Sequence, residues 1–195
     1  MAKAKMLTPT EITIVLAHVE RTSRYPERDR AMVLLSTRAG LRAAEIGALD
    51  WGHVLTADGS EVAEFIDLPR AVTKGQKRAR VIPIHDELRA ALEALRAVWS
   101  DRVGPGQPVV FSERGRYGAN GIAHWFKRTF EAAGLVGASS HSGRRTLLTN
   151  MARCCAKAGA SLRDVQRIAG HADLGTTERY VEPSLDAQKR LIALS

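Results

Sequence analysis

Apolar residues recur at helical spacing along most of this chain, and the polar positions between them carry start and stop signals. Thr8-Pro9-Thr10-Glu11 combines an N-cap hydroxyl, a proline at the first helical position and a glutamate three residues past the cap; Ile12, Val15, Leu16 and Val19 follow on one face. A first helix is predicted over residues 9–21. A second, over 27–37, has little polar face around Met32, Val33, Leu34 and Leu35, which predicts burial in the middle of the domain, and Gly40 supplies its stop. A short helix over 42–49 opens at Arg42 and packs Leu41, Ile46 and Leu49 inward. Leu88, Leu92, Leu95 and Trp99 mark a helix over 85–99, and Ile122, Trp125, Phe126 and Phe130 mark the next; such apolar stripes are scaffold. Towards the C-terminus the pattern predicts a helix over 141–158 and another that opens at Ser161-Leu162-Arg163-Asp164 and stops at Gly170. A short one capped by Thr176 carries Tyr180, and a last one capped by Ser184 contains Leu185, Leu191, Ile192 and Leu194.

The helical rhythm breaks in the middle. Residues 62–68 and 80–84 read as extended segments joined by a turn at Gly75, a small antiparallel sheet with Lys74 on its turn; residues 109–111 form a further short extended piece after the Gly104-Pro105-Gly106 loop. The expected fold class is mixed α/β, mainly helical. At 195 residues the chain is expected to form a single domain over 1–195 with a sizeable core.

Charge narrows the partners. Lys and Arg total 29 against 21 Asp and Glu, a formal +8, which points to a polyanion such as nucleic acid. Arg70, Lys74, Lys77, Arg78 and Arg80 fall in one stretch free of acidic residues, a patch able to contact several phosphates with steeply salt-dependent affinity. No apolar run is long enough to span a bilayer and the first residues lack a secretory apolar core, so a cytoplasmic, nucleoid-associated protein with no membrane partner is expected. The adjacent Cys154 and Cys155 suit neither an ordinary disulfide nor zinc chelation, and read as small residues on or near a buried helix face.

Four separated motifs carry chemistry. They are Arg42 in Gly40-Leu41-Arg42-Ala43-Ala44-Glu45, Lys74 in Thr73-Lys74-Gly75-Gln76-Lys77-Arg78, His141-Ser142-Gly143-Arg144-Arg145, and Gly170-His171 followed nine residues later by Tyr180. In order they give Arg, Lys, His-x-x-Arg, His, Tyr. A lone histidine past a helix stop usually caps or packs, and a lone tyrosine near a C-terminus usually packs; the ordered set is what lifts them above that. Two guanidiniums, planar, permanently charged and forked, could each pair with the non-bridging oxygens of a phosphate, whereas a lysine offers a point charge. A phenol can form a covalent phosphotyrosine and later leave, conserving the phosphodiester bond energy, so neither a metal nor an energy cofactor is expected.

From Leu7 to Tyr180 the set resembles the tyrosine recombinases, the family of phage integrases, Xer-type resolvases and fimbrial-switch invertases. The resemblance implies that family's catalytic-domain fold and site-specific breakage and rejoining of double-stranded DNA through a 3′-phosphotyrosyl link at Tyr180. It makes Arg42 and Arg144 the phosphate clamp and Lys74 the acid that protonates the leaving 5′ oxygen, with Lys77 close enough on the same turn to compete. His141 would accept or orient the phenol proton, His171 would donate to a non-bridging oxygen, and Glu45 would orient Arg42. Arg70, Lys77, Arg78, Arg80 and Arg145 are expected DNA contacts; Arg145 could compete with Arg144, but the His-x-x-Arg spacing favours Arg144.

The chain departs from the family pattern at Gly143, where a leucine is common, and at Arg145, where a histidine is frequent; Gly143 is expected to loosen the start of its helix. On this length the family's helical core-binding domain is not expected ahead of the first helix, a size that resembles the invertases. Partners are then expected to compensate: a homo-oligomer, by resemblance a tetramer on DNA, and accessory DNA-bending proteins. The segment 184–195 could dock into a neighbouring protomer or fold back on its own chain. Two rival readings stay open, a type IB topoisomerase activity and a DNA-binding regulator or decoy without strand exchange.

Overall fold

In the computed structural model, which describes residues 4–73, 79–181 and 184–193, the chain starts on α1 (Pro9–Thr22), closed by the expected capping box of Thr8 and Glu11. Helix α2 (Pro26–Thr37) is the centre of the molecule. Ala31 through Leu35 are 0% exposed, because α1 packs on one side of α2, α4 (Asp86–Val98) on another, and α6 (Ser142–Cys154) closes over its end. The stop at Gly40 is real: its φ is +65° and Leu41 N donates back to Leu35 O at 3.0 Å, a left-handed helix end that favours glycine. A buried polar knot anchors the other end, where Asp29 accepts from Arg28 Nε (2.8 Å), Ser23 Oγ (2.6 Å) and Trp125 Nε1 (3.2 Å).

The predicted hairpin is present as β1 (Phe65–Leu68) and β2 (Arg80–Pro83), antiparallel, with Leu68 opposite Arg80 and Ile66 opposite Ile82. Its turn, with Lys74, Lys77 and Arg78, lies outside the described residues. A second two-stranded sheet, β3 (Phe111–Ser112) with β4 (Gly115–Arg116), extends the short 109–111 piece into a tight hairpin. Helices α3 (Ala43–Gly47), α4 (Asp86–Val98) and α5 (Ala119–Ala132) complete the main core; α3 packs on α5.

The last third is a smaller layer. Helices α6 (Ser142–Cys154), α7 (Leu162–Ala169) and α8 (Leu174–Glu178) enclose a separate cluster of Leu148, Val165 and Ala169, against which Met151, Cys155 and Tyr180 pack. Two expectations need correction. Asp173, not Thr176, precedes α8 as its cap residue, and Tyr180 lies beyond the helix end at Arg179; Asp173 ends the previous loop in extended backbone, so the helix starts earlier. Cys154 is exposed, and only Cys155 reaches the small core. Helix α9 (Leu185–Ala193) follows, with Leu185 75% and Ile192 76% exposed; Leu194 lies outside the described residues.

Gly143 does the opposite of what its sequence suggests. A Cβ there would stand 2.5 Å from Ser36 Oγ and 2.9 Å from Thr37 Cγ2, so the missing side chain is what lets α6 approach α2. The helix start is not loose: Ser139 N donates to Ser142 Oγ (2.9 Å), and Leu7 N donates to Thr146 Oγ1 (2.7 Å). Replacing glycine by alanine at an open helix position gains about 1 kcal/mol. Here Gly143→Ala should lose stability instead, and Gly143→Leu should lose about 3 kcal/mol or more through overpacking. Urea midpoints of the two variants check this; a stabilised Gly143→Ala would refute it.

Candidate active site

The His-x-x-Arg motif places Arg144 in the first turn of α6, and that turn runs beside the loop after α2. Arg144 is 5% exposed. Its Nη1 donates to Gly40 O (2.6 Å) and its Nη2 to Ala169 O (2.7 Å). One guanidinium thus joins the end of α2 to the end of α7. Burial, then the neighbouring cations Arg42 and Arg80, push its pKa below the ordinary arginine value; a guanidinium so far above neutrality remains charged.

Arg42 enters from the start of α3. Glu45, 0% exposed, accepts from Arg42 N (2.8 Å) and Arg42 Nη1 (2.9 Å), fixing both the backbone and the side chain of the arginine. The Arg42 side chain keeps 24% of its surface open.

His171 follows Gly170, whose φ of +65° ends α7 and turns the chain back into the layer. The ring is buried, with Nε2 3.2 Å from Arg144 Nη2 and Nδ1 2.9 Å from Thr177 Oγ1. Arginine can only donate, so Nε2 accepts, and the ring proton sits on Nδ1 and is given to Thr177. Burial first, and then Arg144, Arg42 and Arg80, push the imidazole down to about 4. The sign is clear. Between about 4 and 6.5 the unfolded chain holds a proton on this ring that the folded chain does not, so this group makes stability rise with pH through that window and leaves it level above. His171→Gln should flatten that segment of the melting-temperature profile; an unchanged slope would contradict the neutral-ring assignment.

Tyr180 is half-buried, and its ring stacks on His171 with centroids 5.8 Å apart and planes 12° off parallel. The structure therefore gathers Arg42, Glu45, Arg144, His171 and Tyr180. His141 stands at the exposed start of α6, one turn before Arg144, with Nδ1 3.3 Å from Ser140 Oγ. Lys74 lies outside the described residues. Arg70 is exposed, whereas Arg145 is half-buried with Nη1 donating to Ala4 O at 2.5 Å.

Arg80 departs most from expectation. It is not in an exposed patch: 6% exposed, it donates from Nη2 to Glu45 Oε2 (2.6 Å) and from Nη1 to Ile168 O (2.9 Å) and Ala169 O (2.6 Å). Strand parity explains the miss, since Arg80 alternates in phase with the buried Ile82 while Val81 points outward. That phase was legible in the sequence. Thr177, 0% exposed and bonded to His171, was also missed, and no spacing signals it.

Fold and site together define a tyrosine recombinase catalytic-domain class. The solved neighbours agree on the fold: XerA recombinase superposes with a TM-score of 0.71 at 19% identity, covering 97% of this chain and 63% of that one. The Tn1549 transposon integrase in complex with circular intermediate DNA gives 0.74 at 20%, covering 100% and 68%. Residues 5–186 match the model of the Phage integrase family, and the chain belongs to that family. Among its relatives, the tyrosine recombinase XerC of Pelobacter propionicus is 30% identical over 190 residues, 95% of this chain and 54% of the relative. The tyrosine recombinase XerD of Neisseria meningitidis serogroup B is 28% identical over 191 residues, 90% and 57%. The chain thus spans little more than half the length of these relatives. Among the described residues no helix is long and apolar enough to cross a membrane.

Proposed function

We propose that this chain is the catalytic domain of a site-specific DNA recombinase that cleaves and rejoins duplex DNA through a covalent 3′-phosphotyrosyl link at Tyr180. The observation that carries the reading is the packing of a phenol against a histidine that is itself bonded to a buried arginine, with Arg42 tethered beside it by Glu45.

In this reading Tyr180 Oη attacks the phosphorus, the bond to the 5′ oxygen breaks, and that oxygen takes a proton from Lys74 while His141 receives the phenol proton. Charge on the non-bridging oxygens is met by Arg42 and Arg144, held in place before the reaction and so requiring little reorganisation. His171 is neutral with Nε2 as an acceptor in the DNA-free site, so it must gain a proton before it can donate to the phosphate; the arriving phosphodiester charge favours that gain. No group outside the chain and the DNA enters these steps. Double-stranded DNA is the partner, bound as a homo-oligomer of four protomers with DNA-bending proteins assisting. The exposed Leu185 and Ile192 of α9 support coupling between protomers.

The test is incubation with nicked suicide duplexes tiled from DNA flanking the gene, followed by a denaturing gel and peptide mapping. An adduct on the Tyr180 peptide supports the proposal. Binding with no adduct would favour the regulatory reading, and relaxation of any supercoiled plasmid by the monomer would favour the topoisomerase reading.

A further inference from the structure

Of the three arginines Arg42, Arg80 and Arg144 gathered at the site, the reaction just described uses Arg42 and Arg144 and leaves Arg80 without a part. We propose that Arg80 is a positioning residue that sets the site's internal spacing rather than a DNA contact, an inference that rests on the proposed function.

The guanidinium bridges two segments far apart in the chain. Through Nη2 it holds Glu45 Oε2 while Glu45 Oε1 holds Arg42 Nη1 at 2.9 Å, so Arg42 is oriented through a carboxylate shared with Arg80. Through Nη1 it holds the carbonyls of Ile168 and Ala169 at the end of α7. Ala169 O is the same oxygen that accepts from Arg144 Nη2, and it lies two residues before His171. Close approach is built in: a Cβ on Gly170 would stand 3.0 Å from Arg80 Cδ, and the glycine's φ of +65° admits no ordinary side chain in its place. Finally, Arg80 begins β2, directly after the segment that carries Lys74. One side chain therefore links the Arg42 tether to the Arg144–His171 junction.

A charge this deeply buried is costly, and burial lowers its pKa before Glu45 restores part of it. Lysine would keep the charge but could not place two parallel donor edges on a carboxylate and a pair of carbonyls. A surface lysine or arginine would perform the phosphate-contact role as well, without that cost.

Arg80→Lys and Arg80→Met are compared with the unaltered chain on the nicked duplex that yields the Tyr180 adduct, together with Glu45→Gln and the Arg80→Lys/Glu45→Gln pair. At saturating DNA the adduct rate should fall about a hundredfold in Arg80→Lys, the scale for misplaced reacting groups. DNA affinity should change less than about twofold, with an unchanged salt slope; losing a phosphate contact would reduce that slope by about 0.9. The double variant should be little slower than the slower single one, because both remove the same tether. A reduced salt slope with a normal rate at saturation, or rate losses that multiply, overturns the proposal. Imidazole nitrogen NMR of His171 in DNA-free protein gives a readout that needs no adduct: Arg80→Lys should disturb the Nε2-acceptor, Nδ1-donor state. If the unaltered chain forms no adduct at all, the functional reading fails, and the His171 spectrum alone decides: a disturbed ring supports the positioning role and an identical spectrum overturns it.

Discussion

Tyr180→Phe is expected to abolish the covalent DNA adduct while leaving the fold and DNA binding nearly intact. The chain has three tyrosines, and geometry separates them. The Tyr25 ring lies in an aromatic cluster, 5.8 Å from Trp99 and 6.2 Å from Phe111, with the Arg28 guanidinium 4.5 Å above it. Tyr117 packs against the main core near the same arginine. Only Tyr180 stacks on a histidine that is bonded to a buried arginine. Phenylalanine keeps the ring that stacks on His171 and packs on the small core, so the stability change should stay below about 1 kcal/mol. What it removes is the oxygen that would attack. The measurement is adduct formation on a nicked duplex beside a binding isotherm and a melting curve. An adduct that survives the substitution would move the nucleophile elsewhere and end the assignment, whereas a lost adduct with collapsed stability would leave the tyrosine a packing residue.

Much of this was legible because period and chemistry agreed. The capping box at Thr8, the left-handed stop at Gly40, the box at Ser161 and the stop at Gly170 are local devices, and each stands where its residues predict. The first site arginine and its carboxylate partner are three residues apart, a spacing that a single turn brings together. What the sequence hid depends on segments far apart in the chain. Arg80 meets Glu45 across 35 residues and Ala169 across 89, so the strand phase that turns it inward could be read while its partners could not. Gly143 misled for the same reason: its neighbour across the gap, Ser36, is in another helix. The boundary at α8 shifted because Asp173 and Thr176 are both good caps, and the backbone chose the earlier one.

Arg144→Lys is expected to slow adduct formation by about a thousandfold, the upper range for removing one preorganised donor from a transition state. Lysine ends in a single nitrogen, and that nitrogen cannot reach Gly40 O, Ala169 O and His171 Nε2 together with a phosphate oxygen. Part of the loss should be structural, because a buried carbonyl left without a donor costs about 1–3 kcal/mol. Arg144→Met separates charge from geometry. Among the cations, Arg144 is the largest cause of the low His171 pKa after burial itself. Removing that charge should raise the imidazole from about 4 towards its ordinary 6.5, by less than the whole gap because burial, Arg42 and Arg80 persist. The window in which stability rises with pH should then narrow from its lower edge, since a folded-state pKa closer to the unfolded value leaves fewer protons to exchange on folding. Lysine, which retains the charge, should leave the His171 titration near that of the unaltered chain while still failing at cleavage. A histidine that titrates identically in the methionine variant would show that the arginine and the imidazole are not coupled, and would remove His171 from the phosphate site along with its proposed partner.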